Sequence, residues 1–189
     1  HGSPSGSSPT VTNEGAALFH EPRERSRLAV ERSHRPSDGR MVAPMKVITW
    51  NVNGIRAREA QLLELVATQA PAVLCLQEVK AAPEQIPTSL LELPGYHCYW
   101  HGQKGYSGVG LLFRKERFAE RPAYFHPAFD HESRIVCGRV GQRVFASIYV
   151  PNGGKEFEPK IRFLEALEAF AAESHARGEE LARRSLFIR

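Results

Sequence analysis

The sequence predicts one α/β domain built on a mixed sheet, and three observations predict it. A strand, a helix and a second strand follow one another from Met45 to Leu76, four more strand candidates lie between Tyr96 and Val150, and a long amphipathic helix runs from Phe157 to about Ala176. No internal repeat interrupts this order. The 189 residues, 42% of them apolar and 24% charged, are enough for one domain with a real core.

Residues 1 to 44 hold 4 Gly, 5 Pro and 7 Ser and keep no period of 2 or 3.6, so they read as a disordered leader outside the domain of residues 45 to 189. The chain starts at His1, and Met41 and Met45 stand just before the first apolar segment, which leaves open whether the leader is native. Within it, Arg23 to Val30 mixes charges and is expected to be a solvated segment, ahead of a transient helix or a nucleic-acid arm. Val47-Ile48-Thr49-Trp50 is the first strand; after a turn at Gly54, Leu62, Leu63, Val66 and Ala70 recur at helical spacing until Pro71 stops them. Ala72 to Leu76 is a continuous apolar run, the pattern of a strand covered on both faces. After a connection punctuated by Pro83, Pro87 and Pro94 come strand candidates at Tyr96 to Trp100, Val109 to Phe113, Arg134 to Val140 and Val144 to Val150. Phe157, Ile161, Leu164, Leu167 and Ala171 then form one stripe on a helix.

Composition excludes several classes. Lys and Arg number 25 against 21 Asp and Glu, a formal charge of +4 that gives modest support for an anionic partner. No run approaches the ~18 apolar residues of a spanning helix, and no signal-peptide pattern is present, so a cytoplasmic chain with no membrane partner is expected. Cys75, Cys98 and Cys137 are odd in number and widely spaced, which suits reduced structural thiols.

Polar residues at the carboxyl ends of strands carry the chemistry in open α/β sheets. Three such ends stand out: Trp50-Asn51-Val52-Asn53-Gly54, Leu76-Gln77-Glu78, and Tyr149-Val150-Pro151-Asn152-Gly153-Gly154. A carboxylate flanked by amides is the ligand set of a hard cation such as Mg²⁺, with Glu78 as the candidate ligand. Tyr149 and Asn152 could donate to phosphate oxygens, and Gly153-Gly154 would let a phosphate approach the backbone. Each end taken singly is also an ordinary turn.

Those segments, with His101-Gly102-Gln103-Lys104-Gly105-Tyr106-Ser107-Gly108-Val109-Gly110 between them, resemble in order the exonuclease III family of apurinic/apyrimidinic endonucleases. The resemblance runs from Met45 to about Gly178. It implies a four-layered α/β sandwich with mixed sheets. It also implies a DNA-repair phosphodiesterase that uses Mg²⁺ or Mn²⁺ to cut 5′ of abasic sites, with 3′→5′ exonuclease and 3′-phosphatase activity in many members. Its partner would be double-stranded DNA with abasic or damaged 3′ ends, acted on by a monomer. Position by position, Glu78 corresponds to the metal-binding glutamate and Asn51 to its companion, while Asn53 stands where members carry Asp or Asn near the metal. Tyr149 corresponds to the tyrosine at the scissile phosphate and Asn152 to the asparagine beside it. Lys104, Tyr106, Arg134 and Lys155 are placed toward the DNA.

The chemistry also needs a group to orient and deprotonate water and one to stabilise the leaving oxygen. Beyond residue 44 the sequence holds one aspartate, Asp130, so the family's later Gly-Asp-x-Asn and Ser-Asp-His motifs are absent from it. The expectation is therefore a domain whose C-terminal portion is missing, inactive alone, with an apolar face left uncovered. Asp130-His131 is read as a solvated or loop-capping pair, and His97, Cys98 and His101, which lack metal spacing, as a satisfied strand histidine and a buried thiol. A DNA-binding remnant without catalysis and a phosphatase of the same superfamily are the alternatives.

Overall fold

A computed structural model describes residues 27–30, 45–154 and 157–181. Nine strands form two sheets among these residues. The first sheet contains β1 (Arg27–Val30), β2 (Lys46–Asn51), β3 (Val73–Gln77), β4 (Tyr96–Gln103) and β5 (Tyr106–Arg114), in the order β1-β2-β3-β5-β4. The second contains β6 (Ala123–Phe125), β7 (Ile135–Val140), β8 (Arg143–Ile148) and β9 (Glu180–Leu181), in sequence order. Helices α1 (Glu59–Gln69), α2 (Thr88–Leu91) and α3 (Glu158–Ala176) complete the elements, with short 3-10 turns at Ile55–Arg58 and Pro83–Gln85.

Strand β3 is buried at every position, as its unbroken apolar run requires. It pairs parallel with β2 and antiparallel with β5, so the sheet is mixed. The parallel step is made by α1, which ends where Ala70 adopts a left-handed conformation and donates its N–H to the Val66 carbonyl just before Pro71. Arg27–Val30, expected to be solvated, instead pairs antiparallel with β2 in register Leu28 to Ile48; an open β2 edge supplies backbone partners that its own side-chain pattern does not announce.

The layers follow from which face of each sheet is apolar. Ile48, Trp50, Leu74, Leu76 and Leu112 pack with Ile55, Leu62 and Leu90 on the outer face of the first sheet. Val73, Cys75, Leu111 and Phe113 meet Val136 and Phe145 between the sheets. Ile135, Cys137 and Val144 pack against Phe163 of α3 on the far face. The result is helix, sheet, sheet, helix. Among the described residues β6 to β9 supply a second sheet with α3 packed on it, and β9 pairs with β8 only at Arg143 and Val144. Cys75 and Cys137 are free thiols pushed up to about 12 by burial, and Cys98 up to about 11, so all three stay protonated and unreactive at neutral pH.

Asp130 starts β7. Its Oδ1 accepts the Arg134 N–H at 2.8 Å and its Oδ2 accepts the Ile135 N–H at 3.3 Å and His101 Nε2 at 2.9 Å. Burial pushes this carboxyl up, but the hydrogen bonds from His101 and the two amides outweigh it, so Asp130 ionises below its ordinary range. A carboxyl lowered on folding stabilises the fold above its unfolded value of ~3.9 and loses that contribution as the pH falls through the folded one. Thermal melts should therefore show Asp130→Asn destabilised by roughly 1–3 kcal/mol at pH 7, the cost of leaving a buried donor unmet. The gap to wild type should narrow on acidification, and a gap independent of pH would contradict the assignment.

Candidate metal and phosphate site

The chain leaves β3 into a short segment with two non-glycine residues in the left-handed region, Glu78 at φ 55° and Lys80 at φ 51°. Such backbone costs about 1–3 kcal/mol per residue and persists only when its surroundings hold it. Here both flanks hold it. The Gly54 N–H donates to the Glu78 carbonyl at 2.7 Å and Ile55 N–H to that of Val79 at 3.0 Å, while Val79 and Lys80 donate to Gly108 at 3.0 Å and Ser107 at 2.9 Å. Gly108 is needed for this approach: at φ +86° it lies against Val79, and a Cβ would sit 3.2 Å from the Val79 Cβ. The β2 end, the β3 end and the β4–β5 hairpin are thereby stitched at one rim.

Glu78 is buried, 5% exposed, and is gripped by three groups. Asn51 Nδ2 donates to Glu78 Oε1 at 2.5 Å, Lys80 Nζ lies 3.0 Å from Oε2, and the Tyr149 hydroxyl donates to the carboxylate. Burial pushes the Glu78 carboxyl up, yet the donors Asn51, Lys80 and Tyr149 and the Lys80 charge prevail, so it ionises below the usual carboxylate range. Lys80 Nζ also donates to Asn53 Oδ1 at 2.5 Å. The ammonium thus sits where oxygen donors from β2 and β3 converge on a positive charge. An all-oxygen set with one carboxylate suits a hard divalent ion.

Asn51 departs from the expected ligand role. It turns its N–H₂ toward Glu78, a group with no lone pair to offer a cation, and its Oδ1 accepts the Asn53 amide at 3.1 Å. It orients the carboxylate instead. Arg134 also differs from expectation, being buried at 5% exposure. Its Nη2 donates to the Tyr106 hydroxyl at 2.6 Å, its Nε to Glu132 at 2.6 Å, and its guanidinium carbon stands 5.0 Å from the Tyr149 ring centroid and 5.4 Å from that of Tyr106. Committed to these partners, Arg134 fixes two tyrosines rather than facing solvent as a phosphate contact.

Tyr106 is 54% exposed, and Lys104 lies exposed at the turn of the same hairpin. Asn152 Oδ1 accepts the Gly154 N–H at 3.2 Å, which keeps that hydrogen bond within its own loop. Lys155 lies outside the described residues. Sequence reasoning passed over Lys80 as a site residue, although its place two residues after Glu78 was the available signal. It also passed over a buried polar ladder beneath the site: Thr49 donates to Gln77 Oε1 at 3.3 Å, Gln77 Nε2 to Ser147 Oγ at 3.2 Å, and Ser147 Oγ to the Leu76 carbonyl at 3.0 Å. This ladder ties the two sheets together below Glu78 and Tyr149.

The chain matches the model of the endonuclease/exonuclease/phosphatase family over residues 48–182. It is 34% identical over 140 residues to exodeoxyribonuclease III of Haemophilus influenzae, covering 69% of this chain and 52% of that one. Among solved structures it is similar to the 3′-5′ exonuclease NExo of Neisseria meningitidis, with TM-score 0.62 and 31% identity over 72% of this chain and 55% of that one. It is also similar to an AP endonuclease from Archaeoglobus fulgidus, with TM-score 0.60 and 26% identity over 68% and 51%. The chain spans about half the length of these relatives.

Proposed function

The chain belongs to the endonuclease/exonuclease/phosphatase family, and on that premise we propose that it carries the ion- and phosphate-holding half of a DNA-repair phosphodiesterase centre. The whole protein would cut 5′ of abasic sites and trim 3′ ends in double-stranded DNA, acting as a monomer in the cytoplasm. The relatives' names, an exodeoxyribonuclease, a 3′-5′ exonuclease and an AP endonuclease, support this branch over a phosphatase of small molecules. The observation that carries it is the convergence of Asn51, Lys80 and Tyr149 on the buried Glu78 carboxylate.

Mg²⁺ or Mn²⁺ would be held by Glu78 and Asn53, and when bound supplies charge that polarises a phosphoryl oxygen. Asn51 keeps the carboxylate in place. Lys80, released from Glu78, is positioned to donate to a phosphate oxygen, and Tyr149, braced by Arg134, presents a hydroxyl on the same rim. Tyr106 and Lys104 offer a ring and a cation beside it for the DNA strand. The carboxylate that would take the proton of the attacking water is not supplied by Asp130, whose oxygens are engaged by His101 and two backbone amides.

The chain alone is accordingly expected to bind an abasic-site duplex, with affinity falling as salt rises, and to incise it at a trace rate in Mg²⁺. Fluorescence anisotropy and a gel incision assay measure the two. Lys104→Ala should weaken binding and shallow the salt slope by about one phosphate contact. Robust turnover abolished by Glu78→Ala would replace the half-centre with a complete one, and no affinity at low salt would remove DNA as the partner.

A further inference from the structure

The two edge strands β4 and β6 bring a second set of ligand-bearing side chains together. His101 near the end of β4, His126 directly after β6 and Asp130 before β7 place one ligand atom each within 4.8 Å of one another. The imidazoles of His101 and His126 stack with centroids 3.8 Å apart and planes inclined by 28°. From these contacts we infer that His101, His126 and Asp130 form a binding site for a divalent first-row transition metal, distinct from the hard-cation position at Glu78.

Several observations support a metal over an ordinary hydrogen-bonded trio. His126 Nδ1 lies 3.1 Å from the Ile135 carbonyl, which can only accept, so Nδ1 carries the proton. In the neutral ring, Nε2 is then the lone-pair nitrogen, 3.0 Å from a Tyr99 hydroxyl that can donate to it. A ring fixed by an Nδ1–H to a backbone carbonyl is the usual support of a ligating histidine. The Asp130 side chain is fully shielded from solvent, and its Oδ2 already faces His101 Nε2 at 2.9 Å. On binding, the Nε2 proton of a neutral His101 passes through solvent to its Nδ1, the metal takes the freed Nε2 lone pair and the Asp130 oxygen, and Tyr99 yields the His126 nitrogen. Two imidazoles and one carboxylate select Zn²⁺, Co²⁺ or Ni²⁺ rather than Mg²⁺.

Sequence spacing concealed this set, since His101 and Asp130 are 29 residues apart and His126 belongs to neither neighbour's motif. The expected loop-capping role of Asp130 is present, but its ring partner is His101 and not the adjacent His131.

Co²⁺ titration of the full chain, followed by visible absorption and equilibrium dialysis, tests the site. Besides any ion held at Glu78, we expect one ion whose affinity falls at least ~10-fold in His101→Phe and in His126→Phe, both of which preserve a stacked ring, and which persists in Glu78→Gln. Circular dichroism melts establish that the variants fold. The wild-type Co²⁺ form should in addition show two exchangeable, paramagnetically shifted imidazole N–H proton signals, which needs no variant. Absence of Co²⁺ binding, binding unchanged in both phenylalanine variants, or binding lost only in Glu78→Gln would overturn the assignment. Mn²⁺ binding at Glu78 is measured separately in Glu78→Gln, so failure of the histidine site and failure of the Glu78 site are distinguishable.

Discussion

Replacing Glu78 by glutamine is expected to weaken Mn²⁺ binding to this chain by about 100-fold or more, read as the free-ion signal in an electron paramagnetic resonance titration. The side chain keeps its length and can still accept from Asn51 and Tyr149, so the rim is not rebuilt. What disappears is the negative charge, and Glu78 is the carboxylate through which the Asn53 and Glu78 oxygens face a cation. Losing an outer partner of a ligand costs 10–100-fold in metal affinity, and losing the charged ligand itself should cost no less. Asn51→Ala, which removes only the orienting donor, should fall in the 10–100-fold range. A change below threefold in Glu78→Gln would mean that the ion is held elsewhere.

Phe113→Ala should destabilise the fold by about 3–5 kcal/mol in urea denaturation, the usual cost of emptying a buried phenylalanine position. Phe113 on β5 is fully buried between the sheets. Its ring meets Phe118 at 5.1 Å, Phe145 at 5.4 Å and Tyr124 at 6.0 Å, all edge-on. The second sheet accepts it because Gly138 has no side chain: a Cβ there would lie 2.7 Å from Phe113 Cε2. The contact is thus matched across the interface, and few neighbours can move in to fill the hole. The same truncation at Leu91, which is 43% exposed, should stay within about 0.5 kcal/mol. Equal effects at the two positions would contradict a core centred between the sheets.

How much was legible depends on how local each signal is. The unbroken run at β3 and the stripe on α3 each state their own burial, and both elements formed where the pattern puts them. Strands β6 and β9, of three and two residues, are too short to show a period and exist only because β7 and β8 offer them partners. Glu78 and Tyr149 each directly follow an apolar strand and Asn53 lies two residues past β2, positions that the pattern along the chain singles out. Lys80 as the charge on Glu78, Asn51 as a donor, and Arg134 as the brace of two tyrosines were not legible, since each role depends on residues contributed by other strands.

By itself, then, the sequence determined the central strands, the helices long enough to carry a period, and the residue types displayed at three strand ends, because apolar alternation and turn chemistry act over a few neighbours. Tertiary structure alone decided that the strands divide into two facing sheets, that Arg27–Val30 joins the first of them, and which way each polar side chain points. Hydrogen-bond direction and charge pairing are set by whichever groups arrive across the fold, such as Asp130 meeting His101 across 29 residues, and no pattern along the chain encodes that meeting.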